Sequence, residues 1–267
     1  MVEGRKHAKI GEYSTLELMA ACGSRAINDH EVVFVGTGLP MVASLLAKRM
    51  HAKNAKIVFE AGFIDSNAVD IACSIADSRL AYRASAAVGL IETLGLLLQG
   101  GHCDVGFVGA AQIDEYGNLN TTYIGDFDHP KVRLPGSGGG NDIVSSAKRI
   151  VVIMKHEKRK FTKKLDYLTS PGYLDGPGAR ERVGLKGGGP VLVVTDFCQL
   201  GFDEKTKKLK LLTVHPGMAV QQVVENTGCD LIVKEPVPET EPPTYEEISL
   251  LRIIDPEGIY IPKPQKK

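Results

Sequence analysis

Residues 31–62 read EVVFVGTGLPMVASLLAKRMHAKNAKIVFEAG, and the fold is decided there. The run 31–35 is short and apolar, the pattern of a buried strand. Gly36-Thr37-Gly38-Leu39-Pro40 breaks it. Residues 41–50 then turn Leu45 and Leu46 inward and Lys48 and Arg49 outward at helical spacing. A second apolar run, 55–59, ends in Glu60-Ala61-Gly62. Strand, glycine loop, helix and strand make a βαβ unit, which implies a parallel pair. Glu is almost never fully buried without a partner. Glu60, at the lip of a buried strand, is therefore expected where the sheet opens to a crevice, the place where open α/β sheets bind ligands. The competing reading is a strand-end carboxylate that turns to solvent or pairs with a lysine.

The rest of the chain extends this pattern. Upstream, Ser14-Thr15-Leu16-Glu17 fits a capping box opening a helix. Downstream, 87–99 is a strongly apolar helix stopped by Gly100-Gly101, and 103–109 is a third core strand. Asp114-Glu115-Tyr116-Gly117-Asn118 has turn chemistry. A second glycine loop, 136–140, precedes a short helix over 143–148 and a strand over 150–154. Residues 155–164 hold six Lys or Arg, and such a run is read as a solvated face. The Gly- and Pro-rich stretch 171–190 is a long loop. A strand over 191–195 follows, then a hairpin-like return over 209–214, an amphipathic helix over 220–226 and a strand over 231–233. Residues 236–243 are an extended linker. Thr244-Tyr245-Glu246-Glu247 is a second capping box, opening a last helix to 254. The basic tail from Pro262 is expected to fray. The prediction is an α/β fold with an open, mainly parallel sheet and helices on both faces. One domain over 1–267 is the simplest division, and 171 is where a subdomain could begin.

Composition narrows the function. The 267 residues are 43% hydrophobic and 24% charged, and Lys plus Arg equals Asp plus Glu, so the net charge is zero. Neither nucleic acid nor an anionic membrane is implied as the main partner. No apolar run has the length of a membrane-spanning helix, and the polar first nine residues carry no signal-peptide core. A cytoplasmic protein is expected. Cys22, Cys73, Cys103, Cys198 and Cys229 form no Cys-x-x-Cys pair, so they read as reduced and buried, without a zinc site or disulfide framework. Asp126, Asp128 and His129 in one loop before Pro130 read as a turn rather than a metal site. His156 and His215 stand alone and read as structural or solvated.

Both glycine loops suit anions, because backbone N–H groups and a helix N-terminus converge there. Neither fits a dinucleotide fingerprint: Met41 and Asn141 stand where its third glycine belongs. Neither is followed by the Lys-Ser or Lys-Thr of a P-loop. The run 132–148, VRLPGSGGGNDIVSSAK, is more specific. It resembles the glycine loop of the family I coenzyme A transferases, in the half that carries the catalytic glutamate. Gly36-Thr37-Gly38-Leu39-Pro40 matches the early Gly-x-Gly-x-Pro loop of that family. Gly109-Ala110-Ala111-Gln112, the turn from Asp114 to Gly117 with Leu119 beyond it, and Thr227-Gly228-Cys229-Asp230 follow in family order. The resemblance thus runs from 33 to 230. The closer likeness is to the glutaconate CoA-transferase B subunits. They have Phe-Glu-Ser-Gly where this chain has Phe59-Glu60-Ala61-Gly62. They share Gly125-Asp126, the HPKVRLPGSGG run from His129 and the linker Pro238-Glu239-Thr240-Glu241-Pro242-Pro243. Ketoacid transferases have Ser-Glu-Asn-Gly around the nucleophile, and Phe59 and Ala61 depart from it.

The resemblance implies a sheet of the NagB/RpiA/CoA transferase-like kind and CoA transfer between carboxylic acids through a thioester on Glu60. For the oxyanion such a reaction forms, the backbone N–H groups of Gly138 or Gly139 are the candidate donors, since glycine permits close approach. Gly36, Gly38, Gly62, Gln112, Gly136 and Gly140 would line the CoA and substrate site. Asp142 would cap the helix after the loop rather than act as a base, and Gln112 and Asn118 could orient the acid. No tightly bound cofactor and no metal are implied; a coenzyme A thioester is the substrate. One set of loops and one such Glu make half of a site, so an A-type (alpha) CoA transferase chain is the expected partner. The alternatives are an acyl-CoA hydrolase or C–C lyase on the same fold, or a sugar-phosphate-sensing module. The last lacks support from any helix-turn-helix or basic domain.

Overall fold

The computed structural model describes residues 6–66 and 71–263. The basic tail beyond Lys263 lies outside the described residues. The chain divides into two compact units, Met1–Thr93 with Glu241–Lys267, and Leu94–Thr240. Pro171 lies inside the second.

In the first unit, α1 (Thr15–Arg25) opens on the expected capping box. The Ser14 hydroxyl accepts from the Glu17 N–H at 3.2 Å, and the Glu17 carboxylate accepts from the Ser14 N–H at 2.6 Å. The βαβ unit is present as β1 (Val32–Val35), α2 (Leu39–Met50) and β2 (Lys56–Phe59), with β1 and β2 parallel. The helix begins two residues earlier than predicted, because the fixed φ of Pro40 suits a first turn. Two antiparallel strands of two residues each, β3 (Phe63–Ile64) and β4 (Ala86–Ala87), extend the order to β1-β2-β3-β4. Val33, Phe34, Val35, Ile57, Val58 and Phe59 are almost wholly buried, as are Met41 and Leu46 from α2. The C-terminal helix (Tyr245–Ile254) belongs to this unit and also opens on its predicted box. Arg25 ties it down with hydrogen bonds to Glu247 at 2.8 and 3.0 Å.

The predicted helix over 87–99 needs correction. Ala86–Ala87 is β4, and the helical segment is Ile91–Gln99. It is wound wider than an α-helix: at its exit the N–H groups of Gly100 and His102 reach back five residues, to Gly95 and Leu97. The wider turn moves residues off the 3.6-residue stripe, and Ile91 and Leu96 are exposed.

The second unit contains β5 (Val105–Val108), β6 (Gln112–Ile113), β7 (Leu119–Asn120), β8 (Tyr123–Gly125), β9 (Pro130–Arg133), α3 (Gly140–Ser146) and β10 (Arg149–Ile153). There follow α4 (Ala179–Arg182), β11 (Pro190–Val194), β12 (Cys198–Phe202), β13 (Leu209–Val214) and α5 (Val220–Glu225). Its sheet runs β13-β12-β11-β10-β5, with β5, β10 and β11 parallel and β12 and β13 antiparallel. Hairpins β6–β7 and β8–β9 stand apart from it. The predicted strand over 231–233 reduces to a single bridge between Lys210 and Ile232. Parallel strands thus form the heart of each unit, and antiparallel strands are added at one side of each.

Arg180 organises the long 171–190 loop. Its buried guanidinium donates to Pro171 and Gly172 at 2.8 Å, to Gly187 at 2.8 Å, and to Val144 and Ser145 at 3.0 and 3.2 Å, all backbone carbonyls. The last two belong to the final turn of α3, where carbonyls lack helical partners and a cation is favoured.

Candidate active site

The parallel register places Val35 opposite Phe59. The residues just past these strand ends are therefore neighbours: Gly36 opens the glycine loop, and Glu60 opens a tight turn. The Gly62 N–H donates to the Phe59 carbonyl at 2.9 Å, so Glu60 and Ala61 are the two central residues of that turn. Phe59 is buried and anchors the turn, while Glu60 is half-buried at the carboxyl edge of the parallel pair. Gly62 has φ +103°, and a Cβ there would lie 1.8 Å from the Val88 carbonyl oxygen. Only glycine lets the end of β4 come this close. The Val88 N–H donates back to Gly62 at 3.0 Å.

Sequence reasoning missed two residues beside this turn. The buried Thr93 hydroxyl lies 3.2 Å from the Glu60, Gly89 and Leu90 carbonyls, so its single proton serves one of them at a time. Thr93 gave no signal, being one polar residue in an apolar run. Tyr260 donates to the Ala72 carbonyl at 2.8 Å, and its oxygen also meets the Gly38 N–H and the Thr37 hydroxyl. Burial raises its pKa. It thus holds the glycine loop from a segment some two hundred residues away, a contact that no local pattern reveals. Gly38 precedes the first turn of α2 and accepts from Met41 and Val42.

The remaining predicted site residues belong to the second unit. Gly136 is latched to Thr121 by two hydrogen bonds, N–H to carbonyl at 2.9 Å and Thr121 hydroxyl to Gly136 carbonyl at 2.7 Å. The Gly140 N–H donates to Ser137 at 2.8 Å. Gly138 is exposed and Gly139 buried, and the Gly138 N–H has no acceptor among the described residues. α3 starts at Gly140, three residues before the predicted helix, because Gly139 is already helical. Asp142 is therefore inside the first turn and does not cap it; its carboxylate accepts from Gln99 at 2.8 Å. The Gln112 amide donates to Asp166 at 3.0 Å and accepts from Asn120 and the Asp166 N–H at 2.8 and 3.1 Å. Asn118 is spent on Asp114 and on Gly172 and Leu174. Both amides hold loops together.

Other clusters are structural in this geometry. Asp126 accepts from the Asp128 and His129 N–H groups, as a turn aspartate does. His156 is buried between the Phe161 and Phe197 rings and meets the Thr195 and Thr227 hydroxyls at 3.2 and 3.0 Å. Burial pushes its pKa down to about 4. His215 is bound to Thr240 and to the Thr195 carbonyl. Four cysteines are buried as expected, but Cys73 is exposed. Burial pushes the thiols of Cys22, Cys198 and Cys229 up to about 12, which disarms them as nucleophiles. The basic 155–164 run is mostly exposed, with Arg159 paired to Glu157 and Lys163 to Asp230. No helix among the described residues is long and apolar enough to cross a membrane.

The parallel β1–β2 pair, with a glycine loop and a half-buried carboxylate just past its carboxyl ends, is the framework of an α/β protein. Its sequence matches the coenzyme A transferase family over residues 16–226, and the chain belongs to that family. It is 43% identical to the B subunit of the glutaconate CoA-transferase of Acidaminococcus fermentans over 258 residues, 94% of this chain and 96% of the relative. It is 41% identical to the B subunit of the 3-oxoadipate CoA-transferase of Pseudomonas knackmussii over 243 residues, 91% and 94% of the two chains. The crystal structure of glutaconate coenzyme A-transferase from Acidaminococcus fermentans superposes with a TM-score of 0.89 at 41% identity, covering 95% of this chain and 99% of that one.

Proposed function

We propose that this chain is the B-type component of a heteromeric acyl-CoA:carboxylate CoA-transferase and that Glu60 is its nucleophile. The observation that carries the reading is the Glu60 turn itself. A half-buried carboxylate, fixed by a buried Phe59 and an obligatory Gly62, stands at the carboxyl edge of a parallel pair. Moving CoA between two carboxylates without releasing it needs a third carboxylate on the enzyme. Glu60 attacks the donor thioester carbonyl, and the tetrahedral oxyanion collapses with loss of CoA thiolate, leaving a mixed anhydride. The thiolate attacks the Glu60 carbonyl of that anhydride. The donor acid leaves as its carboxylate, and Glu60 holds CoA as a thioester. The acceptor carboxylate reverses these steps. One difficult exchange becomes several easier ones. Each step passes an oxyanion, for which Gly138 and Gly139 N–H groups are the proposed donors, each worth roughly 10²–10³ in rate.

The similar B-type relatives support an A-type partner chain. So does an exposed apolar patch in the second unit. Phe127 and Tyr167 pack on Tyr123 with ring centroids 5.6 and 5.3 Å apart, and Phe127, Val132, Tyr167 and Leu168 remain exposed. Glutaconate and 3-oxoadipate are both dicarboxylates, so a dicarboxylic acyl-CoA is the inferred substrate class. The test is to co-express the chain with its A-type partner and follow a dicarboxylic acyl-CoA with and without an acceptor carboxylate. Thioester consumption that requires the acceptor and vanishes in Glu60→Ala supports transfer. Equal consumption without acceptor would replace it with hydrolysis or C–C cleavage.

A further inference from the structure

One stretch of chain, residues 88–93, holds the Glu60 turn at two points. The Val88 N–H donates to the Gly62 carbonyl at 3.0 Å. Further along, the Thr93 hydroxyl lies 3.2 Å from the Glu60 carbonyl. Residues 89–92 between them are exposed, whereas Thr93 is fully buried. Its neighbours in sequence, Leu94, Leu96, Leu97 and Leu98, are the residue type such a segment ordinarily buries. A hydroxyl buried there costs free energy unless it is hydrogen-bonded. Bonds to its own segment would meet that need, since the Gly89 and Leu90 carbonyls are also 3.2 Å away. Gly89, however, already accepts the Thr93 N–H at 3.1 Å, and back-bonding of this kind slightly weakens a helix. The reach across to Glu60 is what the hydroxyl adds and an apolar residue would not.

The acceptor is the carbonyl of the central peptide of the turn, between Glu60 and Ala61. The two commonest turn types differ by a flip of this peptide, and the flipped form needs a positive φ at the third residue. Ala61 does not take a positive φ. In a trans peptide the N–H points opposite to the carbonyl. With the Glu60 carbonyl turned to Thr93, the Ala61 N–H is turned away from it, and that N–H has no acceptor among the described residues. We propose that Thr93 is a positioning residue: its hydroxyl locks the central peptide of the turn, so that the Ala61 N–H serves as a further donor to the oxyanion formed at the Glu60 carboxyl carbon. That oxyanion arises when the CoA thiolate attacks the Glu60 carbonyl of the anhydride. The donor role therefore rests on the transferase reading; the lock on the turn does not. A backbone N–H directly after the nucleophile is used in the same way by α/β-hydrolases. Thr93 acts only through this peptide and touches no substrate.

Two measurements on Thr93→Val and Thr93→Ser test this in the full chain co-expressed with its A-type partner. The first is amide hydrogen exchange, which needs no catalytic step. Thr93→Val should speed exchange of the Gly62 N–H, the proton that closes the turn, and Thr93→Ser should restore the parent rate. The second is the split between kcat and KM for CoA transfer. Loss of a donor felt only in the transition state lowers kcat and leaves KM alone. Thr93→Val should lower kcat on the order of tenfold with KM within about twofold, and Thr93→Ser should recover most of the loss. Should Thr93→Val fold poorly, Thr93→Ala removes the same hydroxyl without adding bulk and carries the same expectation. Folded Thr93→Val with the parent's exchange would overturn the lock. Faster exchange with the parent's kcat would overturn the donor role, as would equal losses in the Ser and Val variants. Failure of the transferase reading would show separately, as a parent enzyme without acyl transfer whose turn still loosens in Thr93→Val.

Discussion

Gly62→Ala is the substitution that most sharply separates backbone geometry from side-chain chemistry at the Glu60 turn. The new methyl carbon would lie 1.8 Å from the Val88 carbonyl oxygen and 2.8 Å from its carbonyl carbon, where real Cβ contacts essentially never fall below 3.0 Å. Both obstacles are backbone, so the turn or the end of β4 must move by more than about 1 Å. At φ +103° an alanine adds strain of roughly 1–3 kcal/mol. Separation also threatens the 3.0 Å hydrogen bond from Val88 to Gly62, worth about 1 kcal/mol. The expected loss of stability is therefore about 2–4 kcal/mol. A nucleophile displaced by about 1 Å loses roughly 10² in rate. The assay pairs kcat for CoA transfer with the urea midpoint of the same preparation. Gly184→Ala is the control: φ is +77° but no atom lies within 4 Å of its Cβ, so it carries strain alone and should leave kcat untouched. A folded Gly62→Ala enzyme with kcat within twofold of the parent would refute the claim that this glycine sets the carboxylate's position.

Two further outcomes follow from the second unit. His156 has an ordinary pKa of 6.5 and a folded value of about 4. Below pH 6.5 the unfolded chain takes a proton that the folded chain refuses, so stability falls as pH drops toward 4 and then levels. The gap amounts to about 3 kcal/mol. Urea midpoints at several pH values between 4 and 7 should drop more steeply for the parent than for His156→Gln, and parallel slopes would contradict the assignment. Arg180→Met strands five backbone carbonyls that its guanidinium now satisfies. Destabilisation of about 3–5 kcal/mol is expected in chemical denaturation; a loss under about 1 kcal/mol would show that water replaces the clamp freely.

The heart of the fold was legible because short-range rules and burial agree there. Ser14 with Glu17 and Thr244 with Glu247 form the capping boxes their spacing announced. The apolar runs around Val33 and Val58 pair in parallel as the intervening helix requires. What stayed hidden was short or remote. Phe63–Ile64 and Ala86–Ala87 are too brief to show alternation, and they exist because β2 offers an edge. The Ile91–Gln99 segment looked like an ordinary apolar helix, yet its wide winding leaves Ile91 and Leu96 exposed. At the candidate site, the turn that carries Glu60 and Gly62 was readable from a strand that ends in a carboxylate and a glycine. Tyr260 and Thr93 were not, since their roles arise from tertiary contacts that leave no spacing in the sequence. Gln112, predicted to face substrate, has its amide taken up by Asp166 and Asn120, an outcome set by the neighbouring loop at 166.

The central claim is that the Glu60 carboxylate becomes covalently bound to coenzyme A. The direct measurement is mass spectrometry of the peptide containing Glu60, after the enzyme is incubated with an acyl-CoA in the absence of acceptor and digested. The account predicts a peptide heavier by coenzyme A less one water, converted to a hydroxamate by hydroxylamine and absent from Glu60→Gln. An unmodified Glu60 peptide from an enzyme that is actively transferring CoA would contradict it.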